Sequence, residues 1–168
     1  MSNWVRKYQG LYIDAMEKVG SMLEYTAPVM EVQTEEYRAG GMDMAVPMDM
    51  GMNSMSASFT IGEDPDVLGL FGIKKDGKKI PLFVRSHLEE DETGETKAVV
   101  EELRGIMTKV DKGTQSSGSF QSTTCEMKVT YYKYEVGGKT IHEIDPTNMV
   151  RIINGTDQLQ DARANLGL

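Results

Sequence analysis

Between Val29 and Ile61 the chain runs VMEVQTEEYRAGGMDMAVPMDMGMNSMSASFTI, and the alternation inside that stretch leaves few folds open. The chain has 13 methionines, and those from Met42 to Met55 are concentrated here. Met42, Met44, Met48, Met50 and Met52 share the even-numbered positions with Val46, while the odd ones carry Asp43, Ala45, Pro47, Asp49, Gly51 and Asn53. Successive strand side chains point to opposite faces, so the pattern predicts a strand with one apolar and one polar face; a helix would scatter the methionines around its circumference. Upstream, Met30, Val32 and Thr34 alternate with Glu31, Gln33 and Glu35, and Ala39-Gly40-Gly41 supplies a permissive backbone for a tight turn. Together the two segments predict a hairpin with an acidic odd-numbered face. After Asn53 the apolar set moves to Met55, Ala57, Phe59 and Ile61, as a bulge of one extra residue near Asn53-Ser54 would produce. Unbranched methionine adapts to irregular surfaces and suits a contact with another subunit, although ordinary core filling accounts for the same periodicity.

At 168 residues the chain is long enough to bury a core as one domain, 1–168. With 17 Gly, one Trp and 39% hydrophobic residues it favours short strands and turns over a helix bundle, so the expected fold is mainly β. A formal net charge of −8 disfavours sustained nucleic-acid binding through phosphate neutralisation, without excluding passage past it. The single cysteine, Cys125, forms no internal disulfide, and there is neither an N-terminal apolar run nor a hydrophobic segment of about 18 residues. These features lead us to expect a soluble protein made in a reducing compartment.

Residues 1–10 offer Trp4 and Tyr8 as anchors but no clear period, and read as a candidate flexible arm. Leu11 and Ile13, followed by Met22-Leu23-Glu24-Tyr25, fit a strand pair better than the short helix that AMEKVGSMLEY allows, because Gly20-Ser21 interrupts it. Asp64 as N-cap, Pro65 at the first helical position and Asp66 near the dipole predict a two-turn helix closed by Gly72. Its Val67, Leu68, Leu70 and Phe71 would pack on a sheet. A basic turn at Lys74–Lys79 leads to a strand bearing Ile80, Leu82, Val84 and Leu88, an acidic tip at Glu89–Glu95, and a return strand from Thr96 to about Val110. Lys112–Thr124 has loop composition; Cys125, Met127, Val129 and Tyr131 then alternate with polar residues, and Gly137-Gly138 signals a two-residue hairpin. A short strand at Asn148–Ile153 and a final helix, capped by Thr156 or Asp157 with Leu159, Ala162 and Leu166 on one face, close the chain.

Catalysis needs converging groups, and few are available. His87 near acidic residues and His142 near Glu143 and Asp145 can each be drawn as a base with a carboxylate beside it, but no serine stands in a Gly-x-Ser-x-Gly setting, and surface or interface roles explain both more simply. Cys125, on the apolar side of its strand, reads as a small buried hydrophobe. YRAGGMD lacks the Lys and spacing of a phosphate-binding loop, and the acidic tip lacks the ligand order of a calcium loop. The reading is therefore a non-enzyme with no catalytic, cofactor or metal site. Long two-faced hairpins remain to be explained. Unpaired strand edges associate unless covered, and identical copies paired edge to edge under cyclic symmetry close a barrel around a hole.

Three blocks then carry a family likeness: TEEYRAGGMD with the following VPMDMGM, VTYYKYEVGGK at 129–139, and EIDPTNMVRIINGTDQLQDARANLGL at 143–168. In order and separation they resemble the major tail tube protein of contractile-tailed bacteriophages, shared with R-type phage-tail-like bacteriocins. The likeness spans Leu11 to Leu168, and the first ten residues, the acidic tip and the loop at Thr114–Thr124 do not add to it. It implies a β-sandwich or barrel with one short packing helix and a small C-terminal helix, assembled as hexameric rings that stack into a hollow tube with a continuous inner β-barrel. The implied partners are further copies of the chain, the tail sheath, tape measure, baseplate and tail terminator proteins, DNA in transit through the lumen, and the target cell envelope. The implied place is the phage tail of the virion, after synthesis in the host cytoplasm, and no cofactor is implied. On that basis Glu31, Glu35, Asp43 and Asp49 are candidate lumen-lining residues, a negative wall that keeps phosphate from sticking within a screening length of about 8 Å. The methionine face would then pack on the core or on a neighbour, and Gly40, Gly41 and Gly94 are candidate hairpin turns at subunit contacts. The alternatives are the tube of an R-type bacteriocin or related contractile injection or secretion system and, from another class, a monomeric β-barrel with a closed apolar ligand pocket.

Overall fold

The computed structural model describes residues 2–72 and 77–168, and strands dominate it. The chain opens with β1 (Trp4–Ile13), β2 (Met16–Glu17) and β3 (Met22–Thr26), continues through β4 (Val32–Tyr37), β5 (Val46–Met52) and β6 (Met55–Gly62), and reaches helix α1 (Pro65–Leu68). Then follow β7 (Ile80–Glu90), β8 (Thr96–Asp111), β9 (Ser122–Val136) and β10 (Lys139–Asp145). A 3-10 turn at Pro146–Asn148, β11 (Val150–Ile153), β12 (Thr156–Asp157) and helix α2 (Gln160–Leu166) complete it. The expected basic turn falls partly on 73–76, outside the described residues.

Ten of these strands form one sheet, in the order β12-β11-β10-β9-β8-β7-β1-β2, with β6 joined to β9 and β3 to β6. The long strand β9 makes this branching possible. Its first half, Ser122–Val129, pairs with β6, its second half pairs with β10, and β8 runs along its other edge for nearly its whole length. The sheet forks where β6 ends its pairing at Met55↔Val129 and β10 begins its own at Ile144↔Tyr132. A register shift between Arg104 and Gly105 leaves Thr130 as an extra residue on β9, so the core-facing positions switch from Cys125, Met127 and Val129 to Tyr132. Gly105 permits the close approach at that bend. A Cβ there would lie 2.0 Å from the Lys128 carbonyl oxygen.

The core collects the alternating residues of β6, β7, β8 and β9, with Phe59, Ile61, Leu82, Leu103, Met107 and Met127 fully buried. Gly137 and Gly138, both with positive φ, make the two-residue turn between β9 and β10 that their sequence specified. Glu101 on β8 carries a carboxyl into this interior: it is 3% exposed and accepts a 2.5 Å hydrogen bond from the Tyr25 hydroxyl of β3. Burial pushes its pKa up.

Three local expectations are corrected. Residues 4–10 are not a free arm, because β1 pairs with β7 from Trp4↔Glu90 onward and the Lys97 ammonium sits 4.0 Å from the Trp4 ring centroid. The first helix is a single turn. Asp64 caps it as expected, accepting from the Asp66 N–H, but Gly69 rather than Gly72 ends it, so Val67 and Leu70 reach the core while Phe71 is exposed. The last helix begins after Leu159 with no side-chain cap; Thr156 and Asp157 belong to β12, and Asp157 accepts from the Leu159 N–H and binds Arg163 of the helix.

Candidate assembly site

Strands β4 and β5 stand apart from this sheet. They pair only with each other among the described residues, so the outer edges of both carry backbone groups without a strand partner. Every residue of β4 is exposed, and so is β5 up to Met50. Between them, Met42 N–H donates to the Ala39 carbonyl at 3.1 Å, with Gly41 at φ 92°, so the Gly40-Gly41 pair forms the turn near the hairpin's end. This turn sits within a longer connection from Arg38 to Ala45, in place of the tight turn expected.

That connection decides which side chains share a face. Glu35 pairs with Met48 and Tyr37 with Val46, whereas Thr34 pairs with Asp49 and Glu36 with Pro47. Directly opposed residues of an antiparallel pair lie on one face. From Val46 to Asp49, odd numbers of β4 therefore join even numbers of β5, and the expectation of a common odd face carrying Glu35 and Asp49 is corrected: Glu35 belongs to the methionine face and Asp49 to the opposite one. Glu31 precedes β4, where its carbonyl accepts from the Asn53 N–H, and Asp43 lies in the connection. The bulge is also displaced from its expected place. A register shift lies between Val32↔Met52 and Thr34↔Asp49, with Gly51 at φ 99° supplying the extra conformation, so Gly51 rather than Asn53-Ser54 is the bulge. The later phase change at Met55 marks the departure from one sheet into another.

The methionine face does not pack on the core of its own chain. Val46, Met48 and Met50 are 43, 42 and 53% exposed, and Met44, in the connection before them, 72%. Tyr37, opposite Val46, adds to the same surface. At its root the hairpin meets the body through one ion pair, where Arg151 Nη2 of β11 donates to Asp49 Oδ2 at 3.0 Å. The Gly51 N–H, 2.8 Å from Asp49 Oδ1, and then Arg151 hold the Asp49 carboxyl below the usual carboxylate range. Met30 and Met52 pack against the core from here. Beside this root, at the fork of the sheet, opens a cavity of about 780 Å³ whose apolar wall is Met52, Met55, Val129, Ile144, Val150 and Leu159.

Other residues singled out in the sequence lie elsewhere. Gly94, with φ 71°, is in the tip between β7 and β8, where the Glu90 carboxylate accepts from the Thr93 and Glu92 N–H groups and is held low first by the Thr93 hydroxyl and then by these N–H groups. His87 stands 3.8 Å from Glu89 and 6.1 Å from the Tyr8 ring on an exposed surface. His142 lies against Tyr134, with burial lowering its pKa. The two histidines sit on different strands, β7 and β10, and no groups of metal-ligating side chains occur among the described residues. Cys125 is fully buried, with its thiol pushed up to about 11 by burial. The apolar cavity escaped the sequence reading because its walls come from five separate segments.

The branched β body thus carries a hairpin whose outer edges have no strand partner among the described residues and whose face from Val46 to Met50 is exposed. Chains of two contractile injection systems share this fold. The chain aligns with a chain of the sheath–tube complex of the extracellular system PVC at a TM-score of 0.57 and 12% identity, over 76% of this chain and 88% of that one. It aligns with a chain of the anti-feeding prophage baseplate at a TM-score of 0.59 and 13% identity, over 83% of this chain and 99% of that one. The sequence is more specific: residues 7–167 match the model of phage tail tube protein FII, and the chain belongs to that family. It is similar to the tail tube protein of Escherichia phage P2, with 28% identity over 165 residues and 96% of each chain. With the major tail tube protein of Serratia phage KSP20 it shares 32% identity over 154 residues, covering 90% of this chain and 88% of the relative.

Proposed function

We propose that the whole chain, 1–168, serves as one domain of the inner tube of a contractile phage tail, in hexameric rings that stack around a channel. The observation that carries this reading is the β4–β5 hairpin. A two-stranded ribbon is marginal in water on its own, and this one keeps both edges open and its apolar face uncovered. Neighbouring copies that pair with those edges would continue the ribbon into a closed barrel and remove the exposed edge. The tip at Gly94 and the turn at Gly40-Gly41 are then contacts between subunits. Sheath and baseplate are the proposed outer and starting partners, supported by the sheath–tube and baseplate assemblies of the fold relatives. A tape measure protein, a tail terminator, DNA in transit and the target envelope complete the proposed set.

Within such a tube the face bearing Thr34 and Glu36 looks into the channel, with Glu31 and Asp43 adding charge at the two ends of the hairpin. Glu35 goes with the methionines into a subunit contact, and Asp49 is held aside by Arg151. With each chain at −8, a ring presents a strongly negative surface that repels phosphate, so DNA slides without sticking. Glu36→Lys is expected to slow DNA ejection from particles of normal shape, and unchanged ejection kinetics would count against the acidic wall. The same fold occurs in contractile injection systems, which supports a second reading as the tube of a bacteriocin or related injector; capsid genes beside the coding sequence favour the phage tail, their absence the injector.

Negative-stain electron microscopy of the purified chain, with and without baseplate, tests the main reading. Hollow six-fold rings or tubes are expected. A chain that stays monomeric even on baseplate overturns it.

A further inference from the structure

We infer that the cavity at the fork of the sheet is the socket for the hairpin of another copy, and that Val46 and Met48 are the side chains that enter it. The inference rests on the tube reading and names the contact that holds it together. Among the described residues, the exposed face of β4–β5 and the cavity walled by Met52, Met55, Val129, Ile144, Val150 and Leu159 are apolar surfaces that lie near each other in sequence and lack cover. They cannot meet within one chain. The hairpin root at Asp49, Gly51 and Met52 is itself part of the cavity wall; Val46 lies six residues from Met52, about 20 Å along an extended strand, and Met48 stands on the face opposite Asp49, turned away from the cavity. A hairpin displaced by that distance reaches over the root of the next copy instead.

Such a contact joins two different patches, so it is heterologous and repeats from copy to copy, closing a ring when the rotation allows. Methionine and valine side chains suit a socket assembled from five segments, because methionine adapts its shape to the walls it meets. Charge agrees with this pairing. Glu35 lies beside Met48 on the incoming face and has no partner among the described residues. The one basic side chain lining the cavity is Arg151, whose Nη2 holds Asp49 while a guanidinium has five N–H donors in all. An arriving Glu35 would share the Arg151 guanidinium with Asp49, which also lines the cavity.

The test mixes two single variants, Met48→Cys and Leu159→Cys, whose only other thiol, Cys125, is fully buried. Met48 is exposed and Leu159 half-buried, and circular dichroism of each monomer verifies its fold. Tubes assembled from the mixture are treated with a short bis-maleimide. A dimer containing one chain of each kind is expected, with at least tenfold less dimer from tubes of either variant alone. Mixed tubes that form normally yet give no such dimer overturn the socket and leave the tube reading standing. Failure of the wild-type chain to form rings or tubes on baseplate overturns the tube reading and the socket with it.

Discussion

Strands β5 and β6 are neighbours in sequence and share the same alternation of apolar residues, yet they end in opposite surroundings. Met55, Ala57, Phe59 and Ile61 of β6 are 4, 4, 1 and 0% exposed, because β3 and β9 flank them and the core lies beneath. Val46, Met48 and Met50 of β5 remain half open, because β4 alone pairs with their strand. Alternation thus specifies that a strand has an apolar face. It does not specify whether the cover comes from the same chain or from another. Methionine at three of the four even positions of β5, against the Phe and Ile of β6, is the compositional difference, and such adaptable side chains suit the proposed cover by another copy.

The largest expected effect breaks the buried side of this comparison. Phe59→Ala opens a cavity under β6 and should lower the stability of the isolated chain by about 3–5 kcal/mol in denaturant titration. Gly105→Ala should follow at about 1–3 kcal/mol, since its Cβ would press on the Lys128 carbonyl where β8 and β9 bend. Met48→Lys sharpens the contrast. The monomer should keep its stability within about 0.5 kcal/mol, while the concentration needed for tube growth rises tenfold or more, equivalent to about 1.4 kcal/mol.

A smaller effect comes from Glu101. Its pKa is raised in the folded chain, so its favourable contribution is complete below the unfolded carboxylate range and is lost as pH rises through the elevated value. Glu101→Gln retains an acceptor for the Tyr25 hydroxyl and removes the titration. Thermal unfolding should show the variant gaining on the wild type from about pH 5 upward, with no gain at pH 3. Least of all, Asp49→Asn should leave overall stability nearly unchanged, since exposed ion pairs contribute only about 0–1 kcal/mol. It should quicken amide exchange in residues 46–52, where the root of the hairpin is released.

Much of this contrast was readable from residues alone. The strand faces of β5, β6 and β7, the Gly137-Gly138 turn and the Asp64 cap each follow from short-range chemistry, and the three blocks point to the family that residues 7–167 match. On β9 the apolar side was readable from Cys125 to Val129 but not beyond, since the extra residue Thr130 puts Tyr132 rather than the expected Tyr131 into the core. The hairpin's shared faces were not readable, because the length of the connection from Tyr37 to Val46 sets whether odd meets odd or odd meets even. The Gly51 bulge hid for a related reason: glycine suits a bulge and a strand's polar face equally well in a sequence. Strand β1 left no periodic signal because only its last residues, from Gly10 onward, reach the interior. The socket was invisible, since Met55, Val129, Ile144 and Leu159 meet only through the fork of the sheet.

Amide hydrogen exchange on the free chain and on the assembled tube measures the central claim directly. The account predicts that residues 32–52 exchange quickly in the monomer and become strongly protected in the tube, while β7, β8 and β9 are protected in both. Equal protection of 32–52 in the two states would mean that the hairpin gains no cover from another copy, and would contradict it.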